Sequence, residues 1–214
     1  MGPVTLEEVR QAFKRVGTNK AVGTDGMPAE FITKASLEGC PTNVFEEVIM
    51  HICNIIIKHR LMPQNWKTKA ITPVFKKGSR TEPGNYRPIA VATTFYRIFT
   101  SIMGQRLTSY LHTTKPDTLL PSQFGFRRGL GVEHAHLGLI TQCQEALAYN
   151  KRLVIVKLDI KQAYDTVIRA YLWESMQQLG LPNTFIQLMQ ELYRGSAYSA
   201  RVNGTISEEF ISDI

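Results

Sequence analysis

Apolar residues recur along this chain at two periods, and the switches between them mark out helices and strands. Val4-Thr5-Leu6-Glu7-Glu8-Val9 opens a helix: Thr5 stands as N-cap, Glu8 completes a capping box, and Val4 and Val9 can staple across the first turn. That helix is expected to run to about Val16. Lys20 to Glu30 is a Gly-rich turn leading into a short helix with Pro28 in its first turn. From 43 to 59 the residues Val44, Phe45, Val48, Ile49, Ile52, Ile55 and Ile56 fall at helical spacing and predict one broad buried face. Its end, Lys58-His59-Arg60, complements a helix C-terminus, which accounts for His59 without a ligand role. Pro63 is expected to stop that helix, and Trp66 to Phe75 reads as a strand.

A lysine pair at a Gly turn comes next, then a polar loop and Gly84-Asn-Tyr-Arg-Pro-Ile, so the two sides form a hairpin. Thr93 to Leu111 is an amphipathic helix through Phe95, Ile98, Phe99, Ile102, Met103, Leu107 and Leu111, with Arg97 and Arg106 off the stripe and expected to face water. Gly131 to Asn150 reads as another helix. Leu153 to Val167 then begins with Val154, Ile155 and Val156, the composition of a strand covered on both faces. Two helices, about 169–179 and 182–194, meet at Gly180 and Pro182, and strands 197–202 and 206–211 are joined by Asn203-Gly204, a two-residue hairpin signal.

With 214 residues, 43% hydrophobic and 20% charged, the chain can bury a core as one large domain or two small ones. Lys and Arg exceed Asp and Glu by 25 to 18, and the excess is clustered. Positions 58, 60, 67, 69, 76, 77, 80 and 87 are Lys or Arg, against the single acid Glu82 in that stretch, an arrangement suited to a polyanion. Cys40, Cys53 and Cys143 are odd in number and widely spaced, which argues against a disulfide framework or a zinc site and for a reducing, intracellular setting, nuclear or cytoplasmic. The most apolar stretch, Val48 to Ile57, is too short for a bilayer and is interrupted by His51 and Asn54, so no membrane partner is expected.

Three stretches carry chemistry. Asp159 ends an apolar run, where a charge is costly unless something pairs with it; it either caps the turn after the strand or meets a bound cation. A hairpin bearing Lys76, Lys77 and Arg87 can bring several cations to one spot, as triphosphate binding requires. Gln123-Phe-Gly-Phe-Arg127 interleaves aromatics with cations, suited either to stacking on bases or to a buried Phe pair beside a turn. Gly23-Thr-Asp-Gly26 lacks the spacing and Lys-Ser/Thr of a P-loop and is read as a structural turn.

The string from Leu153 to Val167 resembles motif A of reverse transcriptases, most closely of the non-LTR retrotransposon type: an apolar run, then Asp-Ile-x-x-Ala-Phe/Tyr-Asp-x-Val. The resemblance implies that Asp159, with the backbone carbonyl of Ile160, holds the catalytic magnesium, for which manganese can substitute. It implies that Tyr164, where Phe is commoner, lies beneath the sugar of the incoming nucleotide and disfavours a 2′-hydroxyl, while Asp165 is structural. Ala21 to Pro28 resembles the family's Ala-x-Gly-x-Asp-Gly-Ile-Pro element. Ile71 to Ser79 and Asn85 to Ile89 resemble motifs 1 and 2 of the fingers, which makes Lys76 or Lys77, together with Arg87, the grip on the phosphates of a dNTP. Gln123 to Arg127 resembles the Gln-x-Gly-Phe-Arg element near the template and implies Gln123, Phe126 and Arg127 as nucleic-acid contacts. Leu130 and Gly131 depart from the small or hydroxyl residues usual after it.

The fold so implied is α/β (α+β), the fingers and part of the palm of a right-hand polymerase, with fingers over 1–115 and the remaining fingers and incomplete palm over 116–214. Motifs B and C are expected beyond Ile214, so the chain alone should be inactive. The expected activity of the intact enzyme is RNA-directed DNA synthesis from an RNA template, a DNA primer and dNTPs. The competing reading is a truncated, non-catalytic relic that only binds nucleic acid or a protein.

Overall fold

The structure is a computed structural model and describes residues 1–35, 43–160, 162–164 and 166–211. Two compact units make up the chain, one formed by Met1–Thr108 with Ile168–Ile214, the other by Ser109–Val167.

The first unit starts with α1 (Leu6–Val16), and the capping box is present in full: Glu8 N–H donates to the Thr5 hydroxyl, and Thr5 N–H to the Glu8 carboxylate. Val4 and Val9 are both buried at its start. The Gly-rich segment is the expected structural turn. Gly23 lies so close to Ala92 and Thr93 that an added Cβ would meet their backbone at 2.7 Å, and Asp25 Oδ1 accepts from Met27 N–H. Pro28 is the N-cap of α2 (Ala29–Thr33), one position before the first turn where it was expected.

Helix α3 (Val44–His59) begins at Asn43, whose side chain caps Phe45 N–H. Its buried face is narrower than expected: Ile49, Cys53 and Ile56 enter the core, while Val48 and Ile55 are exposed because no element packs over that side of the helix among the described residues. It ends at Arg60 in the left-handed region (φ 55°), so the turn at Arg60 terminates it before Pro63 can. Pro63 instead caps the 3-10 turn Gln64–Trp66, and the next strand, β1 (Thr68–Phe75), starts two residues later than the pattern suggested.

Strand β2 (Tyr86–Val91) returns antiparallel to β1 with Val74 opposite Arg87. Helix α4 (Thr94–Thr114) contributes Ile98, Phe99, Ile102 and Met103 to the core. After the second unit come α6 (Arg169–Gln178) and α7 (Asn183–Tyr193). They are followed by β3 (Ala197–Val202), β4 (Thr205–Ile206) and β5 (Phe210–Ile211). Asn203 and Gly204, both at positive φ, make the β3–β4 turn as expected. The returning strand is broken: Arg201 pairs with Ile206 and Tyr198 with Phe210, so one extra residue is accommodated between β4 and β5. Ser207 fills the gap, its N–H donating to Ala200 O and its hydroxyl accepting from Ala200 N–H. The sheet runs β2-β1-β3-β4, with β5 also on β3, and β1 and β3 are parallel.

The core joins α1, α3, α4 and α7 around Trp66, whose ring meets Phe99 at 5.9 Å and stacks on Phe95 at 6.4 Å. Cys53 lies within it, and burial pushes its thiol up to about 12; Cys53 and Cys143 are both free, while Cys40 lies outside the described residues. Two arginines correct the sequence reading. Arg106 does not face water: its guanidinium takes Glu8 with both Nε (2.6 Å) and Nη2 (2.8 Å) and also donates to the Gly2 and Pro3 carbonyls. Arg97 donates to Val16 O at 2.8 Å. Both close the carbonyl-rich ends of the segments around α1, an attraction that hydropathy at 3.6-residue spacing cannot register.

The second unit contains the end of α4, a 3-10 turn at Pro116–Thr118, and α5 (Val132–Ala148), entered where Gly131 N–H donates to His134 Nδ1. None of its described residues is buried. The stretch expected to be a strand covered on both faces is not one: Leu153 to Ile160 forms no ladder, and Val154 and Leu158 are 84% and 88% exposed. A strand is held by hydrogen bonds to neighbours, and among the described residues none lies beside it. Its composition favours a strand; the pairing is what is missing.

Two outcomes are expected for the first unit. Phe99→Ala removes a fully buried ring from the centre of the core and should cost about 3–5 kcal/mol, read by chemical denaturation. The Arg106 hydrogen bond holds the Glu8 carboxyl below its ordinary value of 4.5, against the opposing effect of burial, with Thr5 assisting. A depressed folded pKa means stability that is complete above the ordinary value and lost as pH falls through the lower folded one. Glu8→Gln should therefore be less stable than the parent at pH 7 and converge on it in acid, measured as urea midpoints from neutral pH down through the carboxylate range.

Candidate nucleotide-binding hairpin and the Asp159 segment

The eight cations clustered between 58 and 87 are sorted by the fold into separate environments. Lys67 pairs with Glu191 at 3.8 Å. Lys69 is drawn between the rings of Tyr96 and Tyr198 (5.1 and 5.6 Å to their centroids) and donates to Ser196 Oγ and Lys67 O. Burial, and then the charge of Arg169, lower the Lys69 pKa, and burial pushes the Tyr96 phenol up to about 12. These two lysines serve the first unit's own structure. Lys58 and Arg60 stand exposed at the end of α3.

The remaining four belong to the β1–β2 hairpin, and local chemistry builds its end. Gly78 takes φ +92°, and the Asn85 side chain lies so close that a Cβ there would meet its Nδ2 at 2.6 Å. Asn85 Nδ2 donates to Ser79 O, Tyr86 hydroxyl to Arg80 O, and Lys76 N–H to Asn85 O, which carries the ladder one step past β1. Phe75 and Tyr86 meet edge-on at 5.4 Å, and the Arg80 guanidinium covers Phe75 at 4.9 Å. Arg80 is thereby occupied on that face. Lys76, Lys77 and Arg87 are all exposed, so the hairpin brings the three expected phosphate-binding cations to one end of one element.

The other expected site residues lie in the second unit. Gln123 is exposed, and Phe126 is 93% exposed with φ +59°, so the buried Phe pair is not formed; Phe124 is half-buried. Arg127 is turned inward: Nη1 donates to Leu120 O (3.0 Å) and Gln123 O (3.4 Å), and its Nε is buried without a partner. It holds the loop that displays Phe126. Asp159 and Ile160 sit in the unpaired segment, exposed, and Tyr164 is 80% exposed in the next turn. That turn passes through Gln162 at φ +53° and is closed by Thr166 N–H to Gln162 O and Thr166 hydroxyl to Ala163 O. Asp165 lies outside the described residues.

Asp159 and the Ile160 carbonyl are hard oxygen donors, the kind that magnesium and manganese take. They match in kind but not in number, because among the described residues no three His, Cys, Asp or Glu side chains group closely enough to hold an ion. No helix among the described residues is long and apolar enough to cross a membrane.

The family profile described as reverse transcriptase (RNA-dependent DNA polymerase) matches residues 74–212. The chain is 28% identical over 205 residues to the probable RNA-directed DNA polymerase from transposon X-element of Drosophila melanogaster, covering 94% of this chain and 21% of that protein. It is 28% identical over 179 residues to the Pol polyprotein from type-1 retrotransposable element R2 of Popillia japonica (84% and 23%). It is 25% identical over 187 residues to the RNA-directed DNA polymerase from mobile element jockey of Drosophila melanogaster (87% and 20%). The chain thus spans about a fifth of the length of these relatives. With the profile running from the hairpin strand through the Asp159 segment to β5, and such relatives along most of its length, the chain belongs to the reverse transcriptase family, on the non-LTR retrotransposon branch.

Proposed function

We infer that this chain is the fingers and first part of the palm of an RNA-directed DNA polymerase, extending a DNA primer with dNTPs on an RNA template. The observation that carries the reading is the family match over residues 74–212, a span that takes in the hairpin cations, Asp159 and Tyr164 together. The parts named in the sequence then have separate tasks.

On the hairpin, cross-strand pairing places Val74 and Arg87 side by side, and the ladder continued to Lys76 puts its side chain on the same face two residues on. Lys77 lies past the ladder, in the bend that leads to Gly78. Lys76 with Arg87 is therefore the pair that neutralises the triphosphate, a point charge beside a forked donor. Tyr164 bounds the sugar and excludes a 2′-hydroxyl. Phe126, displayed on a loop tied by Arg127, offers an open ring face to a template base. Asp159 and the Ile160 carbonyl would hold magnesium or manganese, which in such a polymerase supplies charge stabilisation at the transferring phosphoryl group. Further carboxylates must join them, and the unpaired 153–160 run, rich in β-branched residues, is the natural edge for the strand that brings those carboxylates.

In a polypeptide extended to the full polymerase domain, Asp159→Asn should reduce DNA synthesis to background while template binding stays near normal, measured by primer extension and filter binding. In the same polypeptide Tyr164→Ala should raise ribonucleotide relative to deoxyribonucleotide incorporation, and unchanged sugar discrimination would remove Tyr164 from the site. The 214-residue chain by itself should give no extension with magnesium or manganese, and extension that is abolished by Asp159→Asn would show a complete site within it.

A further inference from the structure

Helix α3 stops at Arg60 in a left-handed conformation that usually favours glycine and is strained for other residues. A cation there complements the helix C-terminus, as Lys58 and His59 do, and that leaves its outward face open to a further anion. Neither Arg60 nor Lys58 reaches a carboxylate among the described residues, although the same unit ties up Lys67, Arg10, Arg106 and Arg194 in ion pairs. Two exposed cations are thus left together beside α7.

The surface there is recessed. One hollow of about 350 Å³ is lined by Lys58, Arg60 and Thr184, with Pro3 and Ile57 as its apolar wall. A second of about 310 Å³ is lined by Arg60, Gln187, Gln190, Glu191 and Arg194. The two hollows share Arg60 as a lining residue and together make up the recessed surface, or furrow, where the end of α3 meets α7. Thr184, Gln187 and Glu191 recur at spacings of three and four on one face of α7, with Arg194 at its C-cap, while Phe185, Leu188 and Leu192 on the other face enter the core. A solvated helix face would serve equally well with mixed charge. This one carries hydroxyl, amide and guanidinium donors and a single acid, Glu191, already shared by Arg194 (2.5 Å) and Lys67 (3.8 Å).

We propose that this furrow is a second nucleic-acid contact, separate from the hairpin cations, that takes the sugar–phosphate backbone of a single strand. Lys58 and Arg60 neutralise phosphates, and the Gln187 and Gln190 amides donate to phosphate or ribose oxygens. Two small recessed hollows admit a flexible strand, whereas the broad face of a duplex would rest on their rims. The proposal stands on charge and shape within the first unit and does not require the polymerase reading.

The test is equilibrium binding of the 214-residue chain to a fluorescent single-stranded RNA, and to DNA of the same sequence, across a salt series. The parent is compared with Lys58→Ser/Arg60→Ser and with the hairpin variant Lys76→Ser/Arg87→Ser, with thermal melts to confirm that each folds. All four positions are exposed, so the melts should coincide. The slope of log affinity against log salt should be shallower by about 0.7 for each phosphate contact removed, hence by roughly 1.4 in the furrow variant. Loss on RNA and DNA alike, or on RNA more strongly, supports a phosphate or a ribose contact respectively. A furrow variant that keeps the parental slope and affinity overturns the proposal, and it leaves the hairpin reading intact if the hairpin variant has lost both. Failure of the parent to bind either strand at low salt overturns it too, as does displacement of RNA by a polyglutamate peptide at equal charge, which would mark an acidic protein surface as the partner.

Discussion

The parallel pairing of β1 with β3 is the constraint on which the first unit depends, because it sets Thr68 beside Ala197. A parallel pair cannot be closed by a tight turn and needs a long crossover. Here the connection carries β2, α4, the whole second unit, α6 and α7. The pairing is held from below by packing: Ala70 is fully buried on β1, and α7 places Phe185, Leu188 and Leu192 in the same core as α1, α3 and α4. Arg201 on β3 adds a second tie, donating to both Val22 O and Gly23 O and so pinning the Gly-rich turn to the sheet. Fixed at its base in this way, the β1–β2 hairpin can leave its outer end, with Lys76, Lys77 and Arg87, in water.

Charge is distributed by the same logic. Cations near the core are committed to structure: Arg106 to Glu8 and two carbonyls, Lys69 between two tyrosine rings, Lys67 to Glu191. Each such contact offsets part of the desolvation that burial imposes. Within the cluster between 58 and 87, Lys76, Lys77 and Arg87 on the hairpin and Lys58 with Arg60 at the end of α3 form two exposed sets. A net basic balance says only that a polyanion is welcome; the division into committed and available cations says where.

The Asp159 segment has the opposite character. Its apolar side chains are exposed, and among the described residues its backbone joins no ladder and its one carboxylate belongs to no group of three potential metal ligands. A covered strand needs hydrogen-bonding neighbours on its edges and packing on its faces, and composition supplies neither. The family profile spans this run, so an apolar stretch ending in a carboxylate belongs to the sequence pattern of the family.

What the sequence determined by itself is what neighbouring residues decide among themselves. The Thr5–Glu8 capping box, helix α3, the Asn203-Gly204 turn, the β1–β2 hairpin and the helices meeting at Gly180 and Pro182 all appear where the pattern places them, because each is specified within a few residues. The buried face of α3 is narrower than its periodicity predicts, since which apolar positions are covered depends on distant partners. The motif strings were legible for the same reason, and with them the family. Tertiary structure decided everything that needed a distant partner. Arg106 and Arg97 turned inward because carbonyls and a carboxylate from the chain's first residues and α1 reach them. Lys67 and Lys69 left the basic cluster because α7 and β3 supply Glu191 and Tyr198. Phe126 is displayed because Arg127 folds back on Leu120. The run at Leu153 to Ile160 did not become a strand, since a ladder is a property of two segments and only one of them can be read from this stretch.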